Sequence, residues 1–248
     1  MLRLHVGEAG ALVAGEERAL PPAAARHVQV RRLQPGDGVR LFDGSGVDFD
    51  AEILRMGRSD VHVRIGQAHA VERELAVAVT LALAMPANER MDTLVEKATE
   101  LGVAAIQPLV AERSVLRLDG QRAERKRAHW QAVAVAACEQ CGRARVPAVA
   151  AVLPIGAWLT GLAQPAAAHE RRLVLSLDAD ARPLAEALGS GAAQAITTLS
   201  GPEGGLSPAE SDAARRAGFA PVGLGPRVLR ADTAPLAVLA WLSLQIGR

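Results

Sequence analysis

At Glu74 the hydrophobic pattern of this chain changes period, and one regular architecture cannot accommodate both halves. Before that point Val39, Leu41, Phe49, Ala51 and Ile53 fall on alternate positions, as do Val61, Val63 and Ile65. Alternation places every second side chain on one face of a sheet. Asp43-Gly44 and Ser45-Gly46 punctuate these runs, and Leu2–Val6 opens another. Short strands joined by glycine-rich turns predict a small β-barrel over residues 1–70, followed by a linker at His69–Glu74.

Beyond Glu74 the pattern alternates between strand and helix. Leu75–Leu83 reads as a buried strand, and Met91, Leu94, Val95, Ala98 and Leu101 recur at helical spacing with Gly102 as the stop. Ala105–Val110 is a second strand, a long helix runs from Gln121 to Cys141, and Leu173–Leu177, Ala195–Leu199 and Pro221–Leu224 are further strands. Repeated strand–helix alternation predicts an α/β domain with a mostly parallel sheet over residues 74–248. Such sheets bind ligands beyond the carboxyl ends of their strands.

Composition narrows the classes. A formal charge of +1 over 248 residues favours neither nucleic acid nor membrane in bulk, though a local basic stripe acts regardless of net charge. The chain has no tyrosine, so base stacking would fall to Phe, Trp, His or Arg. The N-terminus lacks a signal-like apolar stretch, and the run Leu75–Met85 is about half the ~20 residues of a spanning helix. These features predict a cytoplasmic protein. Cys138 and Cys141 form C-x-x-C near the end of a helix, without the second ligand pair of a zinc site, and read as plain buried thiols with no metal expected.

Two loops carry the chemistry. Ser200-Gly201-Pro202-Glu203-Gly204-Gly205-Leu206-Ser207 follows a strand and ends in the capping signature Ser207-Pro208-Ala209-Glu210. It matches neither the dinucleotide nor the triphosphate glycine pattern, and is either a ligand-binding loop or a tight turn. Leu224-Gly225-Pro226-Arg227-Val228-Leu229-Arg230-Ala231-Asp232-Thr233-Ala234 follows another strand, with Asp232 or Thr233 placed to cap the last helix. That helix is apolar nearly all round, from Leu236 through Trp241 and Leu244 to Ile246, and so is buried in the core or against a second subunit. On the long helix, Arg122, Arg125, Lys126 and His129 make a basic stripe that either tracks phosphates or is solvated.

Taken together, these motifs resemble the bacterial 16S ribosomal RNA uracil-N3 methyltransferases, the RsmE family of the SPOUT superfamily. The resemblance covers nearly the whole chain. It rests chiefly on Gly201–Gly205 and Leu224–Arg230, with Lys97–Val103, Glu112-Arg113-Ser114, Glu139–Arg143, Pro35-Gly36-Asp37 and Leu41–Gly44 in support. It implies an N-terminal PUA-like β-barrel that helps bind RNA, a C-terminal α/β domain with a deep trefoil knot, a homodimer, and S-adenosylmethionine as cofactor. A ribose or transfer-RNA methyltransferase, and a non-catalytic ribosome-assembly protein, are the alternatives.

The same resemblance places the cofactor against Leu177, Leu199, Ser200, Gly201, Pro202, Glu203, Gly204, Leu224, Gly225, Val228, Leu229, Arg230, Thr233 and Ala234. The uracil N3–H must be removed before methylation, and a guanidinium facing the carbonyl oxygens would stabilise the resulting anion. Arg143 is the first candidate for that guanidinium, followed by Arg113 and Arg230, while Glu203 either takes the proton or braces its loop. Arg26, His27 and Arg32 are candidate RNA contacts in the first domain, beside Phe42, which is either a contact or core. Three departures stand out: Ala231-Asp232-Thr233 where relatives often read Thr-Glu-Thr, Val30-Arg31-Arg32 in place of Val-Leu-Arg, and Pro86-Ala87-Asn88 where a basic residue is usual.

Overall fold

The computed structural model describes residues 1–7, 10–86, 90–162, 166–189 and 193–246. Ala87 and Asn88 lie outside the described residues, as does the side chain of Ile246. The chain forms two compact units, Met1–Glu74 with Val135–Val146, and Leu75–Ala134 with Pro147–Arg248. The return of residues 135–146 to the first unit is absent from the sequence expectation of one continuous N-terminal segment.

The first unit contains β1 (Leu2–His5), β2 (Glu17–Ala19), α1 (Pro22–Val30), β3 (Gly38–Phe42), β4 (Val47–Met56) and β5 (Val61–Ala70). The sheet order is β1-β3-β4-β5-β2, with β1 parallel to β3 and the other pairs antiparallel. The alternation seen in the sequence is realised: Val39, Leu41, Ile53, Val61, Val63 and Ile65 are buried with Leu4 in one core. Residues His69 and Ala70 are not linker, because β5 continues through them and His69 Nε2 lies 2.6 Å from Asp50 Oδ2.

Helix α1 is a second correction, since residues 22–30 fall where only strands are expected. Pro22 fits the first helical turn, where the missing N–H costs nothing, and Ala24, Ala25 and Val28 form its buried face. The helix closes with Arg32 N–H donating to Gln29 O and Leu33 N–H to Val28 O. This closure places residue 32 in the left-handed region, at φ 56°. Glycine is the usual occupant, and an arginine there carries strain of about 1 kcal/mol.

Arg3 is one of several residues that tie residues 135–146 to the rest of the first unit. Its guanidinium donates to Asp48 Oδ1 at 2.6 Å, to Cys138 O at 2.7 Å and to Arg143 O at 3.3 Å, and lies 4.7 Å from the centre of the Phe42 ring. Phe42 is fully buried with Cys138 and Ala144, and so is core rather than an RNA contact. Both cysteines are free thiols. A hydrogen bond from Cys138, with the charges of Arg143 and Arg3, holds the half-buried Cys141 thiol down at about 6 against the opposing effect of burial.

The second unit contains β6 (Ala78–Ala84), α2 (Arg90–Glu100), β7 (Ala105–Val110), α3 (Gly120–Cys141, whose end enters the first unit), β8 (Ala148–Val149), β9 (Leu153–Pro154) and α4 (Ile155–Gly161). It continues with β10 (Glu170–Leu175), β11 (Arg182–Pro183), α5 (Leu184–Leu188), β12 (Ala195–Ser200), α6 (Pro208–Arg216), β13 (Ala220–Gly223) and α7 (Thr233–Ile246). All the ladders are parallel, in the order β11-β13-β10-β12-β6-β7-β8, with β9 also on β7. The central strands β6 and β12 are buried along most of their length, as expected of parallel strands covered on both faces. Helix α2 ends at Gly102, φ 93°, with Val103 N–H on Ala98 O.

Helix α7 packs on α2, β6 and β12. Val238, Leu239 and Leu242 are fully buried, but Leu244 is 79% exposed, so the helix is not covered all round. Among the described residues, no helix is long and apolar enough to cross a membrane.

Candidate active site

Strands β10, β12 and β13 all end at the same edge of the sheet, and the loops that leave them enclose a cavity of about 470 Å³. Residues Val174–Asp178 supply one wall, Ser200–Glu203 with Gly205 and Leu206 another, and Pro221, Val222, Leu224 and Arg227–Ala231 the third, with Ala234 at the start of α7. Leu177 and Val228 are 74% and 77% exposed, so two large apolar side chains face solvent at a concave site.

The glycine loop is built tightly. A Cβ at residue 201 would lie 2.9 Å from Leu206 N, so only glycine permits this backbone approach. Gly205 N–H donates to Pro202 O at 2.8 Å. Arg113 Nη1 donates to Gly204 O at 2.9 Å, and Arg90 Nη1 lies 3.4 Å from Glu203 Oε1.

The expected capping box of α6 is present, with Ser207 Oγ accepting from Glu210 N–H and Glu210 Oε2 accepting from Ser207 N–H at 2.8 Å. Glu210 Oε1 also accepts from Glu112 N–H at 2.8 Å, fastening the Arg113 loop to the glycine loop. Glu210→Ala removes an acceptor from two backbone donors and should cost about 2 kcal/mol. The urea midpoint should fall accordingly; an unchanged midpoint would show that the bridge contributes nothing.

Two polar atoms at this site have no partner. Ser200 Oγ and Asp232 Oδ1 are buried without a hydrogen bond among the described residues. Ser200 lines the cavity, and Asp232 lies between the lining residues Ala231 and Ala234. Buried polar groups are nearly always satisfied, and a polar ligand would satisfy these two.

Of the residues expected at the cofactor, Leu177, Ser200, Gly201, Pro202, Glu203, Leu224, Val228, Leu229, Arg230 and Ala234 line the cavity. Four do not. Leu199 is fully buried in the core with Val174 and Phe219. Gly204 faces Arg113, whose Cβ would be 3.3 Å from an added methyl. Gly225, at φ 94°, shapes the turn, and Thr233 opens α7, its N–H on Arg230 O.

The arginines divide as well. Arg230 lines the cavity and is exposed. Arg113 braces the glycine loop rather than lining the cavity. Arg143 belongs to the first unit, 3% exposed, with Nε donating to Glu74 Oε1 at 3.1 Å and Nη2 also on Glu74.

Sequence reasoning missed Ser176, Asp178 and Arg215, whereas Arg227 stands in the loop that it singled out. Reading the β10 strand as Leu173–Leu177 hid the polar residues that begin its loop, whereas the strand ends at Leu175. Arg215 reaches the site from the last turn of α6, where it donates to Asp180 at 2.8 Å and holds that carboxyl below its ordinary range. No local signal marks it.

Of the RNA candidates, Arg26, His27 and Arg32 lie on α1 and its closing turn, while Arg122, Arg125 and Lys126 are exposed along α3 in the second unit. His129 in that stripe is engaged by Asp92 at 2.8 Å. No group of three His, Cys, Asp or Glu side chains among the described residues is arranged to hold a metal.

The RNA methyltransferase domain family matches residues 73–243, and the RNA methyltransferase PUA domain family matches residues 20–66. A ribosomal RNA small subunit methyltransferase E from Synechocystis is 35% identical over 87% of this chain and 68% of its own length. One from Bacillus subtilis is 31% identical over 88% and 86%. The chain belongs to the ribosomal RNA small subunit methyltransferase E family.

Solved structures agree with that family assignment. The Neisseria gonorrhoeae family member, bound to S-adenosylmethionine, superposes with a TM-score of 0.88 at 33% identity, covering 98% of this chain and 97% of its own. A Legionella pneumophila methyltransferase, in complex with the same cofactor, has a TM-score of 0.89 at 32% identity and the same coverage. The family's α/β methyltransferase fold and PUA-like N-terminal domain are thus those of this chain.

Proposed function

We propose that this chain methylates N3 of a uridine in small-subunit ribosomal RNA, using S-adenosylmethionine bound in the cavity beyond β10, β12 and β13. The observation that carries this reading is the pairing of that cavity, with its unpartnered Ser200 and Asp232 atoms, to relatives crystallised with this cofactor. The cavity volume falls in the range of about 300–1,000 Å³ typical of small-ligand sites. Leu177 and Val228 supply the apolar cover that an adenine ring requires. When bound, the cofactor supplies an electrophilic methyl group on sulfonium.

The residues of the chain must then hold the base in line, stabilise its anion and exclude water. Arg230 and Arg227 line the cavity and have no carboxylate partner among the described residues, so they are the guanidiniums best placed to face the uracil oxygens. Arg113 acts through the glycine loop that it braces. Pairing with Arg90 favours the bracing role for Glu203 as well. Arg143, committed to Glu74, remains a candidate only if that pair opens.

The finer architecture belongs to the same reading. Residues 1–70 form a PUA-like barrel that binds RNA, and residues 74–248 form a SPOUT domain whose last loops are knotted in a trefoil. Strand β13 lies on the far side of β10 from β12, so the chain passes the β10 loop to reach it. Two copies pair in a homodimer, covering the exposed Leu244 of α7. The setting is the cytoplasm, where ribosomal RNA is modified.

The test supplies labelled S-adenosylmethionine and unmodified small subunits, and identifies the product nucleoside by mass spectrometry. The expected product is 3-methyluridine. A ribose methyl would overturn the base assignment, and absence of any product would overturn the reaction. Asp232→Asn gives a second test, since Asp232 Oδ1 is buried without a hydrogen-bond partner among the described residues and the change removes the carboxylate charge there. The free protein should melt no lower than wild type, while its stabilisation by added cofactor shrinks; an undiminished shift would remove Asp232 from the site.

A further inference from the structure

A second cavity, of about 510 Å³, lies within the first unit between the end of α1 and the last turns of α3. Leu2, Leu33 and Ala136 form its apolar part, and His27, Arg31 and Glu139 are at its rim. Glu139 is fixed from two sides: Oε1 accepts from His5 N–H at 2.9 Å, and Oε2 lies 3.5 Å from His27 Nδ1. Arg31 is exposed, and its guanidinium has no hydrogen bond or ion pair among the described residues, its backbone N–H closing the helix on His27 O. Next to it stands Arg32, the one non-glycine residue with positive φ among the described residues. Strained backbone persists where the surroundings or the function require it, and here the strained position is the chain neighbour of the lining residues Arg31 and Leu33.

We propose that this cavity receives one unpaired nucleotide of the RNA, its base in the cavity and its flanking phosphates on Arg31 and Arg32. The proposal rests on the reading that the substrate is RNA. Unpaired bases are recognised by stacking on aromatic or guanidinium planes and by hydrogen bonds to their edges. Tyrosine is absent from the chain and Phe42 is buried, which leaves the His27 ring and the Arg31 guanidinium as the planes at this site. The fixed Glu139 carboxylate accepts a hydrogen bond from a base N–H, and the apolar floor covers the base face.

The test uses the full chain and a fluorescent, unstructured oligoribonucleotide, with affinity read by anisotropy across a salt series. Ala136→Trp, which fills the cavity, should weaken binding at least tenfold. Arg31→Ala should weaken it and flatten the log–log salt slope by about 0.7, the contribution of one phosphate contact to a single strand. Arg32→Gly should raise the melting temperature and yet weaken RNA binding. Cofactor affinity, measured by calorimetry on the same variants, should stay at the wild-type value. RNA affinity within twofold of wild type in Ala136→Trp and Arg31→Ala would overturn the proposal. If the wild type methylates small subunits but does not hold the oligonucleotide, the same variants are compared by KM on subunits, and unchanged values overturn it equally. A wild type that neither binds RNA nor methylates subunits refutes the RNA reading itself.

Discussion

Gly201→Ala is expected to weaken S-adenosylmethionine binding by about 10- to 100-fold. The added methyl would lie 2.9 Å from Leu206 N and 3.1 Å from Gly205 C and Leu206 Cγ. Two of these are backbone atoms, which cannot rotate aside as a side chain can, so the 202–206 loop must move. Overpacking of this kind costs about 1–3 kcal/mol, and about 1.4 kcal/mol is a tenfold change in affinity. The loop resists displacement, because Arg113 holds Gly204 O and the Ser207–Glu210 box anchors its far end. Gly204→Ala is the control. Its methyl would lie 3.3 Å from Arg113 Cβ and 3.5 Å from Arg113 Cδ, a tight contact and not an overlap, and its effect should stay within about threefold, well under the cost of a backbone clash. Calorimetric titration of both variants decides the matter, and equal effects would show that the close packing of Gly201 on Leu206 does not shape the cofactor site.

Arg143→Ala should destabilise the protein by about 3 kcal/mol, the low end of the range for removing one partner of a buried ion pair. The guanidinium is almost wholly buried, whereas Glu74 keeps 27% of its side-chain surface and so retains some solvation. Truncation leaves Glu74 without its counter-charge. Adding Glu74→Gln to the alanine variant should therefore recover part of the loss, which a simple packing defect would not allow. Urea unfolding measures both. Wild-type stability with turnover abolished would return Arg143 to the role first read for it, a guanidinium acting on the uracil anion.

The two variants probe sites that were legible to different degrees. The glycine loop, its capping box and the strand before it could be read locally, because Ser207, Pro208 and Glu210 act within one helical turn. Strands β3, β4 and β5 were legible for a similar reason, their alternation being set by burial on one sheet face. Helix α1 was not, since its buried face is only Ala24, Ala25 and Val28, small side chains on a nine-residue segment set between strands. The role of Phe42 could not be decided in sequence either, as its burial depends on Cys138 and Ala144, far along the chain.

The main strands, the family and two of the loops that enclose the cavity thus followed from residues close together in the chain, where turn chemistry and hydrophobic period act. Partners of individual charges did not. Arg143 meets Glu74, Arg3 meets Asp48 and the carbonyl of Cys138, and Arg215 meets Asp180. A guanidinium is compatible with many environments in sequence, and only the folded chain assigns it a carboxylate, a carbonyl or a cavity.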